Sequence, residues 1–309
     1  MTPAQVDIRT RPSTTAPLGL VAHYAEVVVE VSDLARARRF YELLGLTAAD
    51  AAADRAHEGL RLRFRGGDAV VLAERERPRV SPEGGTHVAF RLVPDELSAV
   101  TTRLERAGVT IQRYHEDRPA ERADDRYCAD PDGNRLQLVS ADASGIDHAA
   151  VETHDLEWAE TFYAHVLGGQ IEHRVGWRME DYARAWEWGA ERDACAPGTR
   201  RWDKRYTSIE GEARLPRPNA HFFAALGPEV VLGVYLATEH RQEPPPDRFR
   251  GTPRIVFRSA PGALGEIERR LRDIRLRCQR ASAFGGPFER EGDSVFARDP
   301  GGNFLEFRA

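Results

Sequence analysis

The chain has 309 residues and a formal net charge of −5, which leaves room for two domains with cores of their own and gives no field to draw in nucleic acid or a membrane surface. Its three cysteines, Cys128, Cys195 and Cys278, are far apart and form no CxxC, which argues against a disulfide framework or a structural zinc knot and points to a reducing cytoplasm. The 44 basic residues include one lysine, Lys204, so a Schiff-base mechanism has a single candidate in a charged segment, and no run of roughly 18 apolar residues is present to span a membrane.

Residues 1–20 are polar and rich in Pro and Thr, and read as a loose tail without the apolar centre of a signal peptide. A first strand is expected over 24–31. Ser32 or Asp33 then caps a helix that ends near Gly45. Short strands follow at 60–64 and 69–73, on either side of the Gly66-Gly67-Asp68 turn, and a Pro/Gly linker covers 77–85. A second unit opens with an alternating strand at 87–92. Its helix starts at Pro94-Asp95, carries Leu97, Val100, Leu104 and Ala107 on one stripe, and stops at Gly108. Strands at 110–114 and 125–129 lead to the turn Asp130-Pro-Asp-Gly-Asn134 and a closing strand at 135–139.

Residues 140–145 form a small-residue linker, taken as a domain boundary. The stretch from His148 to Tyr163 reads as a strand running into a helix, with Asp155 at the N-cap and Leu156, Ala159, Phe162 and Tyr163 at helical spacing. A segment dense in charge and aromatics, 177–218, looks inserted, either as surface elaboration or as a lid. A closing strand at 230–236 and a proline-rich linker at 239–251 precede the last unit. That unit has a strand at 254–258, a helix bearing Leu264, Ile267, Leu271 and Ile274, the turn Asp299-Pro-Gly-Gly-Asn303 and a final strand at 304–307.

The order β-α-β-β-β therefore recurs four times. Glu26 and His148 are 122 residues apart, as are Asp33 and Asp155, while His87 and Arg254 are separated by 167 and Asp130 and Asp299 by 169. Strand alternation sorts the first strands of all four units in the same way. The apolar sets Val27/Val29/Val31, Val88/Phe90/Leu92, Ala149/Val151 and Ile255/Phe257 lie on the side of the helices. Glu26/Glu30, His87/Arg91, His148/Glu152 and Arg254/Arg258 lie on the other, joined by Gln137 and Glu306 of the closing strands. A sheet covered by helices on one face would hold these polar side chains in a hollow.

Two copies of Asp-Leu-x5-Phe-Tyr and two of Asp-Pro-x-Gly-Asn-x-Leu-[Gln/Glu] resemble the vicinal oxygen chelate superfamily, which includes glyoxalase I, bleomycin-resistance proteins and extradiol dioxygenases. The resemblance runs over residues 23–309 apart from the insertion. It implies an α+β fold of four βαβββ modules paired into two cupped mixed sheets with helices outside. The expected domains are 21–141 for modules 1 and 2 and 146–309 for modules 3 and 4. It also implies metal ligands on first and closing strands, at the positions of Glu26, His87, Gln137, His148, Arg254 and Glu306. Modules paired in chain order give the sets Glu26/His87/Gln137 and His148/Arg254/Glu306. Crossed pairing gives His87/Gln137/His148, a histidine-rich metal set, and Glu26/Arg254/Glu306, an ion cluster. Arg254 has no lone pair to offer a metal in either case.

What the resemblance implies for function is a metal-dependent isomerase, epimerase or lyase that binds two neighbouring oxygens of a small polyoxygenated molecule. His148, His87, Gln137 and Glu306 are the candidate ligands for a divalent Zn, Fe, Mn or Ni, and Glu306 or Glu26 the candidate proton carrier. Arg254, Arg258, Arg91 and Glu152 are candidate substrate-binding residues, although Glu30, Glu152, Arg91 and Arg258 also suit plain ion pairing across the cup. Two alternatives stay open. One is a ring-cleaving dioxygenase, against which Arg254 stands in for a histidine and Phe296 for a tyrosine. The other is a metal-free antibiotic-binding protein of the bleomycin-resistance type. A small molecule is the expected partner, with no nucleic acid or membrane, and the chain is expected to be a monomer or homodimer.

Overall fold

The structure is a computed structural model that describes residues 18–48, 55–56, 59–80, 86–113, 125–175, 221–237, 248–284 and 293–309. The inserted segment 177–218, with its tryptophans, lies outside the described residues. Module 1 comprises β1 (Val21–Val31), α1 (Leu34–Leu43), β2 (Thr47–Ala48), β3 (Arg55–Ala56), β4 (Gly59–Arg63) and β5 (Ala69–Glu74). Module 2 comprises β6 (His87–Leu92), α2 (Pro94–Arg106), β7 (Gln112–Arg113), β8 (Arg126–Ala129) and β9 (Arg135–Ser140). Module 3 has β10 (Gly145–Thr153), α3 (Leu156–Glu160), β11 (Gln170–Val175), β12 (His221–Gly227) and β13 (Val230–Leu236). Module 4 has β14 (Arg254–Ser259), α4 (Leu264–Asp273), β15 (Cys278–Arg280), β16 (Ser294–Arg298) and β17 (Phe304–Arg308). No helix among the described residues is long and apolar enough to cross a membrane.

The modules pair crosswise. One sheet runs β15-β16-β17-β14-β1-β5-β4-β2, with β3 on β4, and so joins modules 4 and 1; the other runs β11-β12-β13-β10-β6-β9-β8-β7 and joins modules 3 and 2. Each sheet is thus built from both the 21–141 and the 146–309 stretches. At each centre two first strands meet antiparallel, β1 with β14 and β6 with β10. Each is flanked on its outer side by the closing strand of its own module, in parallel.

Local chemistry sets the helices. Asp33 accepts from Arg36 N at 2.9 Å and Asp155 from Trp158 N at 2.9 Å, each satisfying an orphan donor of the first turn. Gly45 and Gly168 close the two helices at φ of 93° and 72°, values that a side chain disfavours. The third helix departs from the expected continuous α-helix: after α3 the chain widens into a π-helix over Thr161–Val166, with Leu167 N on Phe162 O. The chain leaves this turn pressed on β12, where a Cβ on Gly169 would meet Tyr163 O at 2.9 Å and Ala225 O at 3.1 Å.

Alternation holds in all four first strands. Val27, Val29, Val31, Phe90, Leu92, Ala149, Val151, Ile255 and Phe257 share one core with the helices and with Leu136, Leu138, Leu305 and Phe307. The opposite faces carry small separate apolar clusters, Val28/Val71/Ala73/Val256 in one cup and Ala150/Phe223/Tyr235 in the other.

The two sequence motifs are the two halves of one clasp. In module 2 the turn aspartate, Asp130, accepts Tyr41 OH of module 1 at 3.2 Å, and Asn134 Nδ2 donates to Glu30 O at 3.1 Å. In module 4, Asp299 accepts Tyr163 OH of module 3 at 2.6 Å, and Asn303 Nδ2 donates to Glu152 O at 2.8 Å. Each clasp ties a module of one sheet to a module of the other. Burial pushes both carboxyls above their usual range, and the bonds from Asn134 to Asp130 and from Tyr163 and Asn303 to Asp299 pull them part of the way back. Ionised Asp299 therefore costs stability at neutral pH, a cost that vanishes as pH falls through its raised folded value towards the usual carboxylate range. Tyr163→Phe removes one of the compensating bonds. Its expected effect is a loss of about 1–3 kcal/mol at pH 7 that shrinks as the solution is acidified, read from urea unfolding at a series of pH values.

Candidate functional site

Crossed pairing brings three of the expected residues into one cup, on the second sheet. The register His148↔Ala89↔Gln137 puts His148 and Gln137 in one row, and His87 lies two residues along β6 from Ala89. The imidazoles of His87 and His148 meet edge to face with their Nε2 atoms 2.9 Å apart. His148 Nδ1 is 2.6 Å from Asp147 Oδ2, which fixes the proton on Nδ1 and turns the Nε2 lone pair into the cup. Gln137 Nε2 donates to Asp125 at 2.8 Å, which leaves the amide oxygen free to be directed elsewhere. Both Gln137 and Asp125 are buried.

The rest of this cup is aromatic. Phe223 stands 5.8 Å from the His148 ring, Tyr235 stands 6.2 Å from that of His87, and His221 stacks on Tyr235 at 4.5 Å. Glu152 lies on the same face of β10, in the row of Tyr235 and His221. The register places it four residues, about 13 Å, along the strand from His148.

The cup of the first sheet holds Glu26, Arg254 and Glu306, and these form an ion network. Arg254 Nε is 3.0 Å from Glu306 Oε2, while Arg308 reaches Glu306 Oε1 at 2.9 Å and Glu26 Oε1 at 3.0 Å. Arg61 approaches Glu26 at 2.8 Å, and Ser294 donates to Glu306 at 3.1 Å. Burial raises the Glu306 carboxyl, but Arg254 and Arg308 outweigh it and hold the group below its usual range. Arg308 is held above its own usual value by Glu306 and Glu26 despite its burial.

Glu306 is therefore separated from His148, with which chain-order pairing grouped it, and Glu26 from His87. Of the remaining expected residues, Arg91 pairs with Glu229 at 3.4 Å at the mouth of the second cup, and Arg258 donates to the backbone oxygen of Ala309. Sequence reasoning missed Asp147, Asp125, Arg308 and Arg61. Strict alternation assigns Asp147 to the helix side, but a register shift between Ile146 and His148 intervenes. Arg308 was within reach, because it shares parity with Glu306.

A divalent metal fits the second cup. Two nitrogen ligands at 2.0–2.1 Å from one metal and at right angles to each other lie roughly 2.9 Å apart. The same spacing is also that of a hydrogen bond from His87 to the His148 lone pair. The donor set is two imidazoles and an amide: among the described residues no group of three His, Cys, Asp or Glu is arranged to hold a metal. The cup positions of β13 beside His148 carry Val231 and Gly233 instead of an acid. The first cup does not fit a metal, because its carboxylates already hold guanidiniums.

Residues 21–138 match the model of the Glyoxalase/Bleomycin resistance protein/Dioxygenase superfamily. Over the whole chain, glyoxalase I from Zea mays superposes with a TM-score of 0.55 at 15% identity, covering 92% of this chain and 91% of its own. A putative dioxygenase from Bacillus subtilis superposes with a TM-score of 0.56 at 12% identity, covering 93% and 84%. No curated protein matches the sequence. Residues 21–138 thus carry a domain of this superfamily, and the chain as a whole shares the fold of these neighbours.

Replacing Glu306 by Gln leaves Arg254 and Arg308 buried against a neutral side chain. The expected cost is about 3–5 kcal/mol at pH 7. Because the folded carboxyl sits below its usual value, its contribution is complete above the usual carboxylate range and is lost as pH falls through the lower folded value. The gap between wild type and variant therefore closes only in strong acid, below the range in which Tyr163→Phe recovers, and thermal melting at stepped pH reads both.

Proposed function

We propose that the chain is a metal-dependent enzyme of the vicinal oxygen chelate superfamily, working in the second cup on a small molecule with two neighbouring oxygens, with isomerase or lyase chemistry. The observation that carries this reading is the His87–His148 pair, its Nε2 atoms converging at 2.9 Å with Asp147 fixing the tautomer of one of them. His87 Nε2, His148 Nε2 and Gln137 Oε1 would hold the metal. A Zn, Fe, Mn or Ni ion there would supply Lewis acidity that acidifies a proton on carbon beside the substrate's oxygens.

The protein's own residues do the rest. Asp147 and Asp125 orient His148 and Gln137 from behind. Phe223 and Tyr235 wall off water and present flat apolar surface to the substrate. His221, stacked on Tyr235 and half-buried, offers a ring nitrogen to take the proton and return it, the role that the resemblance implied for Glu306 or Glu26. Glu152, in the same row as His221, binds polar groups of the substrate beside it. The ring-cleaving alternative uses two histidines and a carboxylate on iron, and this set offers an amide in that third place.

The reading is tested by proton exchange at substrate carbon. Lactaldehyde and related α-hydroxycarbonyls in deuterated water, with the metal-loaded chain, are expected to take up deuterium. Uptake is expected to stop with chelator and with His148→Ala, and to fall several-fold with His221→Gln while metal content is retained. Asp147→Ala is expected to weaken metal binding about 10- to 100-fold in equilibrium dialysis. Stoichiometric metal binding that survives His148→Ala, or the absence of exchange across the substrate series, contradicts the proposal.

A further inference from the structure

Asp147 and His148 sit in an irregular stretch of β10. Ile146 pairs with Phe90 and His148 with Ala89, so two steps along β10 match one along β6, and Asp147 is the extra residue of a β-bulge. A bulge disrupts the ladder locally, and buried backbone amides beside it need other partners. Here the partners come from module 1, whose first strand lies in the other sheet. On one side of the bulge, Ile146 N donates to Asp68 Oδ2 at 2.9 Å. On the other, Ala149 N donates to the hydroxyl of Tyr24 at 3.2 Å.

Tyr24 is buried in the common core, with its ring 5.5 Å from that of Phe257. Its hydroxyl also donates to Val231 O at 2.5 Å, and Val231 is the β13 partner of His148. One phenol thus bridges β10 and β13 at the row of His148, from the core side of the sheet. Burial raises this phenol well above its usual range against the bond from Ala149, so it keeps the proton that it donates. Asp68 comes close because residue 145 is glycine: a Cβ there would stand 2.5 Å from Asp68 Oδ2. The 122-residue repeat puts Ile146 at the position of Tyr24, and an aliphatic side chain has no hydroxyl to offer the arginine cup in return.

We propose that Tyr24 and Asp68 are positioning residues of the histidine cup: by holding the amides on both sides of Asp147 and His148 they set the bulge that aims His148 Nε2 at His87 and lets Asp147 hold Nδ1. Each acts through the backbone of β10 and not on metal or substrate. A bulge re-aims the side chain it carries, and groups that orient a ligand residue from behind govern metal affinity. The inference rests on the reading of this cup as a metal site. It adds that the site takes its geometry from module 1, across the junction between the sheets.

The test uses the full chain and two readouts: zinc affinity by competition with a chromogenic chelator and, without metal, the exchange rate of the His148 Nδ1 proton by NMR. Tyr24→Phe and Asp68→Ala are each expected to weaken zinc about tenfold or more and to speed that exchange about tenfold. Asp68→Asn keeps an oxygen for Ile146 N and is expected to stay within about threefold of wild type in both. Tyr163→Phe is the control for stability alone: it too loses a buried phenol bond, but to Asp299 in the turn before β17 of the other sheet, and is expected to leave both readouts unchanged. Folding is checked by melting, and Asp68→Ala against Asp68→Asn decides the matter if Tyr24→Phe does not fold. Wild-type zinc affinity and proton exchange in folded Tyr24→Phe, equal losses in Asp68→Ala and Asp68→Asn, or a loss in Tyr163→Phe as large as in Tyr24→Phe each overturns the proposal. Zinc that fails to bind the wild type refutes the metal reading of the cup instead. In that case faster Nδ1 exchange in Tyr24→Phe but not in Tyr163→Phe still upholds the positioning roles, and equal exchange in the two overturns them.

Discussion

Side-chain alternation along β1, β6, β10 and β14 is the constraint on which the rest of this molecule depends. On each strand one parity feeds the common core and the other feeds a cup, so a residue's chemistry is assigned to a compartment by whether its number is odd or even. A one-residue slip on any of the four strands would put valines in the hollow and ionised groups in the core, at several kcal/mol for each charge left without a partner. The core therefore locks the cups, although few cup residues contribute to it.

Crossed pairing turns that sorting into specialisation. Modules 2 and 3 bring their first strands together and so join two histidines; modules 1 and 4 do the same and join a glutamate to an arginine. The clasps from Tyr41 to Asp130 and from Tyr163 to Asp299 span the junction between the sheets and leave both cup faces untouched. The shared core and these clasps hold the two sheets together, so the cups can differ from each other as long as the charges within each are balanced. The first cup shows how far they have differed: Arg254 occupies the repeat position of His87, and a ligand set has become a charge network closed by Arg308.

Much of the fold was legible in the sequence because its determinants are local and repeat. Alternation, N-cap aspartates, glycine helix stops and the two Asp-Pro-x-Gly-Asn turns all act within a few residues. The choice between chain-order and crossed pairing was not legible, since it depends on which strands meet across more than a hundred residues. The make-up of the candidate site followed from that choice. The grouping of His87, Gln137 and His148 was available as one of two alternatives, whereas Glu306 was first given a ligand's role that its partners in the other cup do not support. Asp147 escaped because a register irregularity breaks the alternation that marks the polar residues of the first strands, and Asp125 because a carboxylate ahead of a short strand carries no pattern of its own. The widened helical turn at Thr161–Val166 was equally invisible: its residues have the same spacing as those of the regular helix in module 1.

The claim at the centre of this account is that the histidine cup is a metal site and the arginine cup is not. An anomalous-scattering map at the zinc edge, from crystals of the full chain grown with one equivalent of zinc, tests it most directly. The account predicts one peak per chain, within about 2.0–2.1 Å of the Nε2 atoms of both His87 and His148, and no peak between Glu26 and Glu306. A peak at the Glu26–Glu306 pair, or none at the two histidines, would contradict it.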